Sequence, residues 1–351
     1  MKIIRVGLDL AKQSIQVHGV DRDDRVVLKR SIKRDAVLKL FATLPPCVIG
    51  MEACSGAHEW ARQLSRLGHQ PKLMAAKHVK PYTQGQKNDA NDAAAICEAV
   101  SRPTMRFVAV KSVEQHDLQA LHRIRSQCVE QRTAKVNLIR GLLAEYGIVV
   151  AQQISQLRNA LGVLLEDAEN GLTGDFRELL VGLQQDLYFL DDRITELTQR
   201  IERHVKVHDT TRRLLAIPGI GPISASALFA AVGDGRAFAN GRHLAAFLGL
   251  TPKQYSTGGK NTLLGIHKQG DSYLRGLLVH GARAVQRMAV KKTDPRSTWL
   301  NALGKRRHKN IATVAQANKT ARIAWAVLQG ATYRPEPARR LTPDAHIELA
   351  A

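Results

Sequence analysis

Four carboxylates near the start of the chain have the types and settings that phosphate chemistry uses. Asp9 lies near the end of the apolar run Val6-Gly7-Leu8-Asp9-Leu10-Ala11, and Glu52 closes Cys47-Val48-Ile49-Gly50-Met51-Glu52. An acid at the end of a buried strand is costly unless something pairs with it. Side chains alternate along a strand, so Val6, Leu8 and Leu10 share one face while Gly7 and Asp9 share the other. Asp89 and Asp92 lie in Lys87-Asn88-Asp89-Ala90-Asn91-Asp92-Ala93. Three residues apart on a helix, they project from one face. Carboxylates gathered at one point repel unless cations hold them, and hard oxygen ligands suit Mg2+ or Mn2+. Two such ions can clamp the attacking and leaving oxygens of a phosphodiester. Taken singly, Asp89 also reads as an acid favoured at a helix N-terminus, and Asp92 as a solvated residue.

A second constellation is Thr251-Pro252-Lys253-Gln254-Tyr255-Ser256-Thr257-Gly258-Gly259-Lys260. It reads as a compact polar loop. Gly258 and Gly259 let backbone N–H groups approach a phosphate, and Lys253 and Lys260 supply charge. Ser256 can bind a phosphate there or attack it; the residues alone favour binding. Upstream, Ile217-Pro218-Gly219-Ile220-Gly221 has a helix–hairpin–helix pattern. Its Gly-x-Gly turn either aims N–H groups at a DNA phosphate or simply joins two helices.

The acids need a scaffold, and the sequence supplies one. Ile3–Leu10, Ile15–Val20 and Arg25–Ile32 read as three strands, the last two joined by the polar turn Asp21-Arg22-Asp23-Asp24. A helix over Asp35–Leu44 stops at Pro45-Pro46. A strand over Cys47–Ala53, a helix over Ala57–Leu67, a strand over Pro71–Ala76 and a helix over Asn88–Ala99 follow. The order βββαβαβα, opening on an antiparallel meander, is that of an RNase H-like domain. In that topology the first and fourth strands are neighbours, and their ends lie near the start of the last helix. Asp9, Glu52, Asp89 and Asp92 then meet.

The middle of the chain is helical. Leu180, Leu183, Leu187, Leu190, Ile194, Leu197 and Ile201 form a heptad seam with charges between. Leu118, Leu121, Ile124 and Cys128 suggest an earlier helix of the same kind. The seam serves either a helical hairpin packed on itself or a dimerisation arm. Beyond Arg212 the chain is Gly-rich and basic, with helices around Ser272–Met288 and Ile311–Leu328. The tail past Thr332 is rich in Pro and Arg and is expected to be loose.

The chain has 351 residues and a formal net charge of +21. Between Arg212 and Arg340 there are 22 Lys/Arg against 4 Asp/Glu, so most of the excess sits there. Such a field attracts polyanions, nucleic acid above all. An anionic membrane fits less well, because no run of about 18 apolar residues occurs. Met1-Lys2-Ile3-Ile4-Arg5 leads straight into strand-like sequence, so no signal peptide is expected. Cys47, Cys54, Cys97 and Cys128 form no CxxC pair and read as reduced, mostly buried thiols of a cytoplasmic protein. Aromatic residues are 5% of the chain, which argues against a stacking single-strand binder. No P-loop motif occurs.

The ordered set of Val6-Gly7-Leu8-Asp9, Gly50-Met51-Glu52-Ala53, Lys87 through Ala93, Pro218-Gly219-Ile220-Gly221, Gly249-Leu250-Thr251-Pro252 and Tyr255 through Lys260 resembles the DEDD insertion-sequence transposases of the IS110 family, in its IS1111 branch. The resemblance covers nearly the whole chain. It implies a RuvC-like DEDD catalytic domain over residues 1–110, with Asp9, Glu52, Asp89 and Asp92 as its acids and Mg2+ as cofactor. It further implies a helical, coiled-coil region over 111–210, a mostly helical transposase domain over 211–335 with a nucleophilic serine, and a flexible tail over 336–351. Ser256 is the position that takes the serine's role, although Thr257 follows where a second serine is common; Ser224 and Ser226 are weaker candidates. Gly219, Gly221, Lys253, Gly258, Gly259, Lys260, Lys268 and Arg275 are the expected nucleic-acid contacts. Donor and target DNA, a structured bridge RNA, and dimers pairing into a tetramer are the implied partners. A covalent phosphoserine link conserves the phosphodiester energy, so strands rejoin without ATP.

Two other readings compete. A RuvC-like hydrolytic endonuclease needs the acids but no serine. A non-catalytic nucleic-acid-binding protein needs neither.

Overall fold

A computed structural model describes residues 2–86 and 88–335. Lys87 and the tail expected over 336–351 lie outside the described residues. Internal contacts divide the chain into two units, Met1–Ser112 and Val113–Ala351.

The first unit opens with β1 (Arg5–Leu10), β2 (Ser14–Val20) and β3 (Val26–Lys33), an antiparallel meander. The turn between β2 and β3 closes on Asp21, whose carboxylate accepts from the backbone N–H groups of Asp23 and Arg25. A short 3-10 turn leads into α1 (Val37–Ala42). Then come β4 (Val48–Glu52), α2 (Ala57–Arg66), β5 (Gln70–Met74), α3 (Ala76–Val79), α4 (Asp89–Ala99) and the two-residue β6 (Phe107–Val108). The sheet order is β3-β2-β1-β4-β5-β6, with β1–β4 and β4–β5 parallel. This mixed α/β arrangement is consistent with an RNase H-like DEDD transposase domain. The helix expected over Asp35–Leu44 is shorter, because its first turn is 3-10. The short α3 and β6 carry too little periodicity to be read from sequence.

Strand alternation separates the two faces of this sheet. Val6, Leu8, Ile49 and Met51 join the core with Phe41 of α1 and Trp60 and Leu64 of α2. In α2 the buried residues Ala57, Trp60, Ala61 and Leu64 recur at helical spacing. The opposite face carries Gly7 and Gly50 and is covered by α4.

The second unit begins with α5 (Val113–Glu145), α6 (Ile154–Glu166) and α7 (Gly174–Val207). The contacts Arg125–Thr198, Arg132–Asp191 and Lys135–Asp186 run in opposite chain directions, so α5 and α7 are antiparallel. The heptad seam is spent inside this pair. Leu180 and Leu187 pack with Val136, Ile139 and Leu143, while Leu190, Ile194 and Leu197 pack with Cys128. The seam residues Leu187 and Ile194 therefore face their own chain and not a second subunit.

After α8 (Asp209–Leu214), α9 (Pro222–Val232) and α10 (Gly241–Phe247), the chain forms β7 (Pro252–Thr257) and β8 (Lys260–Ile266). Helices α11 (Ser272–Ala289), α12 (Pro295–Arg306) and α13 (Lys309–Leu328) complete the unit. Leu214, Ile217, Leu228, Leu244, Leu278 and Ala321 lie in their common core. The expected polar loop around Ser256 is instead an antiparallel ribbon. Gly258 and Gly259 have φ of +53° and +78°, the pair of left-handed residues a tight hairpin turn requires. Nothing lies within 4 Å of a Cβ at either position, so their glycines answer to turn geometry.

Candidate active site

The acid set rests on one close approach. Gly7 of β1 and Gly50 of β4 are register partners. A Cβ on Gly7 would overlap the Ala93 carbonyl oxygen and lie 2.5 Å from the Cys97 nitrogen, both in α4. A Cβ on Gly50 would lie 2.9 Å from Val100 Cβ. The absence of side chains at this pair lets α4 settle on the sheet. Asp9 and Glu52 stand two residues further along the same two strands, on the same face as the glycines. Helix α4 begins there: Asn88 caps it, its side chain accepting from the Asn91 N–H at 2.8 Å, and Asp89 and Asp92 occupy its first turn.

The four acids share a field. Asp9 is raised above its ordinary pKa first by burial and then by the charges of Asp89 and Asp92, with the Leu10 backbone N–H acting the other way. Glu52 is raised by burial and then by Asp9 and Asp92. Asp9 feels Asp89 and Asp92 and itself acts on Glu52, so Asp9 is the acid central to the group. None of the four has an ion pair among the described residues, where other acids do. Yet no three His, Cys, Asp or Glu side chains among the described residues stand close enough to hold one metal ion. The acids thus form a shared, uncompensated negative face and not a finished coordination shell. Their hard oxygen donors are the chemistry a divalent cation needs.

Sequence reasoning missed two neighbours of this face. The exposed Cys54 thiol is raised by desolvation and further by Glu52 and Asp9, and Arg34 opposes. Arg34 donates to the Ala11 carbonyl at 3.0 Å and its guanidinium lies 5.2 Å over the Trp60 ring. Arg34 follows β3 directly, and no local pattern distinguishes it from the other basic residues of that segment.

Ser256 belongs to the second unit. It is exposed on β7, opposite Asn261 of β8. Its hydroxyl accepts from Gln254 Nε2 at 2.9 Å, a group that cannot take up a proton. Lys253 and Lys260 are exposed on the same ribbon. Lys268 is exposed with φ +56°, and Arg275 donates to the Leu248 carbonyl at 3.3 Å. Gly219 packs against Gly281 of α11, while Gly221 is exposed and opens α9 with Pro222 at its first turn. Ser224 is buried, and so is Ser226. The Ser226 hydroxyl lies 2.9 Å from Nε2 of buried His122, whose Nδ1 is 3.0 Å from Tyr273 Oη. Burial first, then Arg125 and His204, lowers His122 to about 4, so the ring is neutral and ties α5, α9 and α11 together.

The IS110-type DEDD model described as "Transposase" matches residues 6–148, the span that holds the four acids. The model described as "Transposase IS116/IS110/IS902 family" matches residues 211–297, the span that holds Ser256. A probable family 20 transposase of Pseudomonas aeruginosa is 52% identical over 95% of this chain and 100% of its own length. The transposase for insertion sequence element IS1111A of Coxiella burnetii is 43% identical over 95% of this chain and 92% of its own. The transposase for insertion sequence element IS1328 of Yersinia enterocolitica is 40% identical over 93% and 98%. No helix among the described residues is long and apolar enough to cross a membrane. With the acids on one face of the sheet and relatives matched end to end, the chain belongs to the IS110/IS116/IS902 family of DEDD insertion-sequence transposases, in its IS1111 branch, enzymes that cleave and rejoin DNA.

Proposed function

We propose that this transposase cuts DNA by attack of Ser256 of one subunit on a phosphate held at the carboxylate face of another, and rejoins it by reversal of that attack. The observation that carries the reading is the convergence of Asp9, Glu52, Asp89 and Asp92 where β1, β4 and the start of α4 meet, with charges no ion pair offsets among the described residues. Asp9, Glu52, Asp89 and Asp92 would hold the metal between them once it drew their carboxylates together. The chemistry that Mg2+, or Mn2+ in its place, would supply there is neutralisation of charge developing on the phosphate.

The Ser256 Oγ–P bond forms as the bond from phosphorus to a deoxyribose oxygen breaks. The serine gives up its proton and the departing sugar oxygen gains one. Rejoining runs the other way: a sugar hydroxyl attacks the phosphoserine, and Oγ leaves. Gln254 orients the hydroxyl without acting as base. Lys253, Lys260 and Lys268 hold the strand near the ribbon; Gly219 and Gly221 add a helix-turn contact, and Arg275 keeps the ribbon's base in place through Leu248. Donor and target DNA, a structured guide RNA and a dimer-to-tetramer assembly, implied by the family resemblance, complete the reading.

The test is a denaturant-resistant protein–DNA adduct. Protein, Mg2+, guide RNA and junction DNA are combined for wild type, Asp9→Asn and Ser256→Ala. An adduct in wild type that is lost in both variants supports the mechanism. Cleaved DNA without adduct, lost in Asp9→Asn and kept in Ser256→Ala, replaces it with metal-dependent hydrolysis.

A further inference from the structure

The second unit contains a groove of about 2280 Å³. That exceeds the roughly 300–1,000 Å³ of small-molecule sites. The ribbon β7–β8 forms one wall, and α11, α12 and α13 form the rest, with α10 at one end. Eight Lys/Arg line it against a single acid, Asp294. That acid is already engaged, capping α12 through the N–H and hydroxyl of Ser297. None of the eight cations has an ion-pair partner among the described residues, although salt bridges are frequent on α5 and α7.

The wall between these cations is apolar. Met288 and Ile311 are 55% and 54% exposed, and Leu263 and Leu264 of the ribbon are 67% and 54% exposed. Trp299 lies in the same wall, with Lys319 Nζ 5.1 Å over its ring. Two of the chain's three tryptophans, Trp299 and Trp325, line this groove. The low aromatic content of the whole chain conceals that concentration.

A duplex presents phosphates and sugars outward and keeps its base faces stacked. It would meet the cations and leave the apolar wall uncovered. An unpaired strand offers both phosphates and flat apolar faces. We propose that this groove seats an unpaired segment of nucleic acid, with phosphates on Arg242, Lys253, Lys319 and Arg322 and bases against Trp299, Met288 and Ile311. The inference deepens the function above and rests on its nucleic-acid partner, not on its metal or serine.

The test uses the full chain without divalent metal, so that no cleavage intervenes. Fluorescent oligodeoxythymidylate and oligouridylate of about 20 nucleotides, longer than common single-strand sites, are titrated alongside a hairpin duplex. Arg322→Glu and Lys319→Glu should each weaken single-strand binding at least about fivefold and flatten its salt dependence by roughly one unit of slope. Arg66→Glu, on an exposed helix end of the first unit, should change neither. Trp299→Ala should weaken single-strand binding about tenfold, spare duplex binding, and be rescued by Trp299→Phe. The ratio of the two oligonucleotides then identifies the sugar. Unchanged single-strand binding in Arg322→Glu and Trp299→Ala overturns the proposal. So does equal weakening of duplex and single strand by Trp299→Ala. A concentration-dependent rise in mass abolished by Trp299→Ala, with no oligonucleotide bound, would make the groove a seat for a second copy and also overturn it. Wild-type protein that binds the oligonucleotides but forms no adduct with junction DNA and Mg2+ sinks the mechanism and leaves the groove standing.

Discussion

Gly7 and Gly50 lie directly opposite each other in the parallel β1–β4 pair, and both lie beneath α4. The approach of Asp89 and Asp92 to Asp9 and Glu52 depends on this pair of missing side chains. At Gly7 the obstacles are backbone atoms of α4, which cannot swing aside. Gly7→Ala should therefore destabilise the first unit by about 3 kcal/mol, the upper part of the overpacking range. It should also draw Asp89 and Asp92 away from Asp9 and abolish Mg2+-dependent cleavage. At Gly50 the approach is less severe: Val100 Cβ lies at 2.9 Å, and Ile96 Cγ2 and the Ile96 carbonyl oxygen at 3.1 Å, so a small shift of the end of α4 relieves it. Gly50→Ala should cost about 1 kcal/mol and leave measurable cleavage. Thermal melts paired with cleavage assays check both; equal effects at the two positions would refute the assignment.

Asp9 and Glu52 should trade stability for function. Both native pKa values are raised, chiefly by burial. Between the ordinary carboxylate value and the raised one, the native state holds more protons than the unfolded state. Stability of the metal-free protein thus falls as pH rises through that window, and the penalty persists at neutral pH. Asp9→Asn removes it. At pH 7 without metal, Asp9→Asn should melt above wild type, while the Mg2+-induced rise in melting temperature shrinks and cleavage falls more than about a hundredfold. A lower metal-free melting temperature for Asp9→Asn would contradict the electrostatic account.

His122 gives the second unit the opposite slope. Its native value of about 4 lies below the ordinary histidine value of 6.5. Its contribution is fully present above pH 6.5 and is lost as pH falls toward 4, by on the order of 3 kcal/mol in all. His122→Ala leaves the Ser226 and Tyr273 hydroxyls facing a void and should cost about 3 kcal/mol at pH 7. It should also flatten the acid limb of stability against pH. A variant that loses stability but keeps the wild-type acid limb would place that limb on another group.

Much of the first unit is legible because its strands obey simple alternation. Val6 and Leu8 announce a buried face, and Gly7 and Asp9 the face that α4 covers. The four acids are likewise visible as acids that end apolar runs or open a helix. What fails is instructive. Pro252–Thr257 is exposed throughout and has no apolar alternation, and Leu263 and Leu264 are adjacent, so neither strand of the ribbon looks like one. The Gly258-Gly259 pair was the available signal. The heptad seam shows that Leu187 and Ile194 need cover, but not whose. His122 meets partners 104 and 151 residues away, and no local pattern encodes such a contact.

The seam can be tested by its failure mode. Leu187 is fully buried between α7 and α5. Leu187→Asp puts an uncompensated charge in that core and should unfold the helical pair, at a cost of about 4 kcal/mol or more. Loss of helical circular dichroism at constant protein concentration is the expected result. A folded monomer that merely fails to associate would restore the dimerisation arm.

The ribbon's turn controls where Ser256 points. Two-residue turns with both φ positive accept Gly and Asn, and resist β-branched residues. Gly258→Asn should leave the turn, the Ser256–Asn261 register and adduct formation intact. Gly259→Val should strain the turn by roughly 1–2 kcal/mol. Because a two-stranded ribbon is marginal alone, that strain is a large share of its stability. Amide exchange across residues 252–266 should speed up in Gly259→Val, and adduct yield should fall with it while Asp9-dependent metal binding is unchanged. Nothing within 4 Å of either glycine confuses the comparison with a clash. Wild-type adduct yield in a ribbon shown to be frayed would mean that the serine's position is set by the DNA and not by the turn.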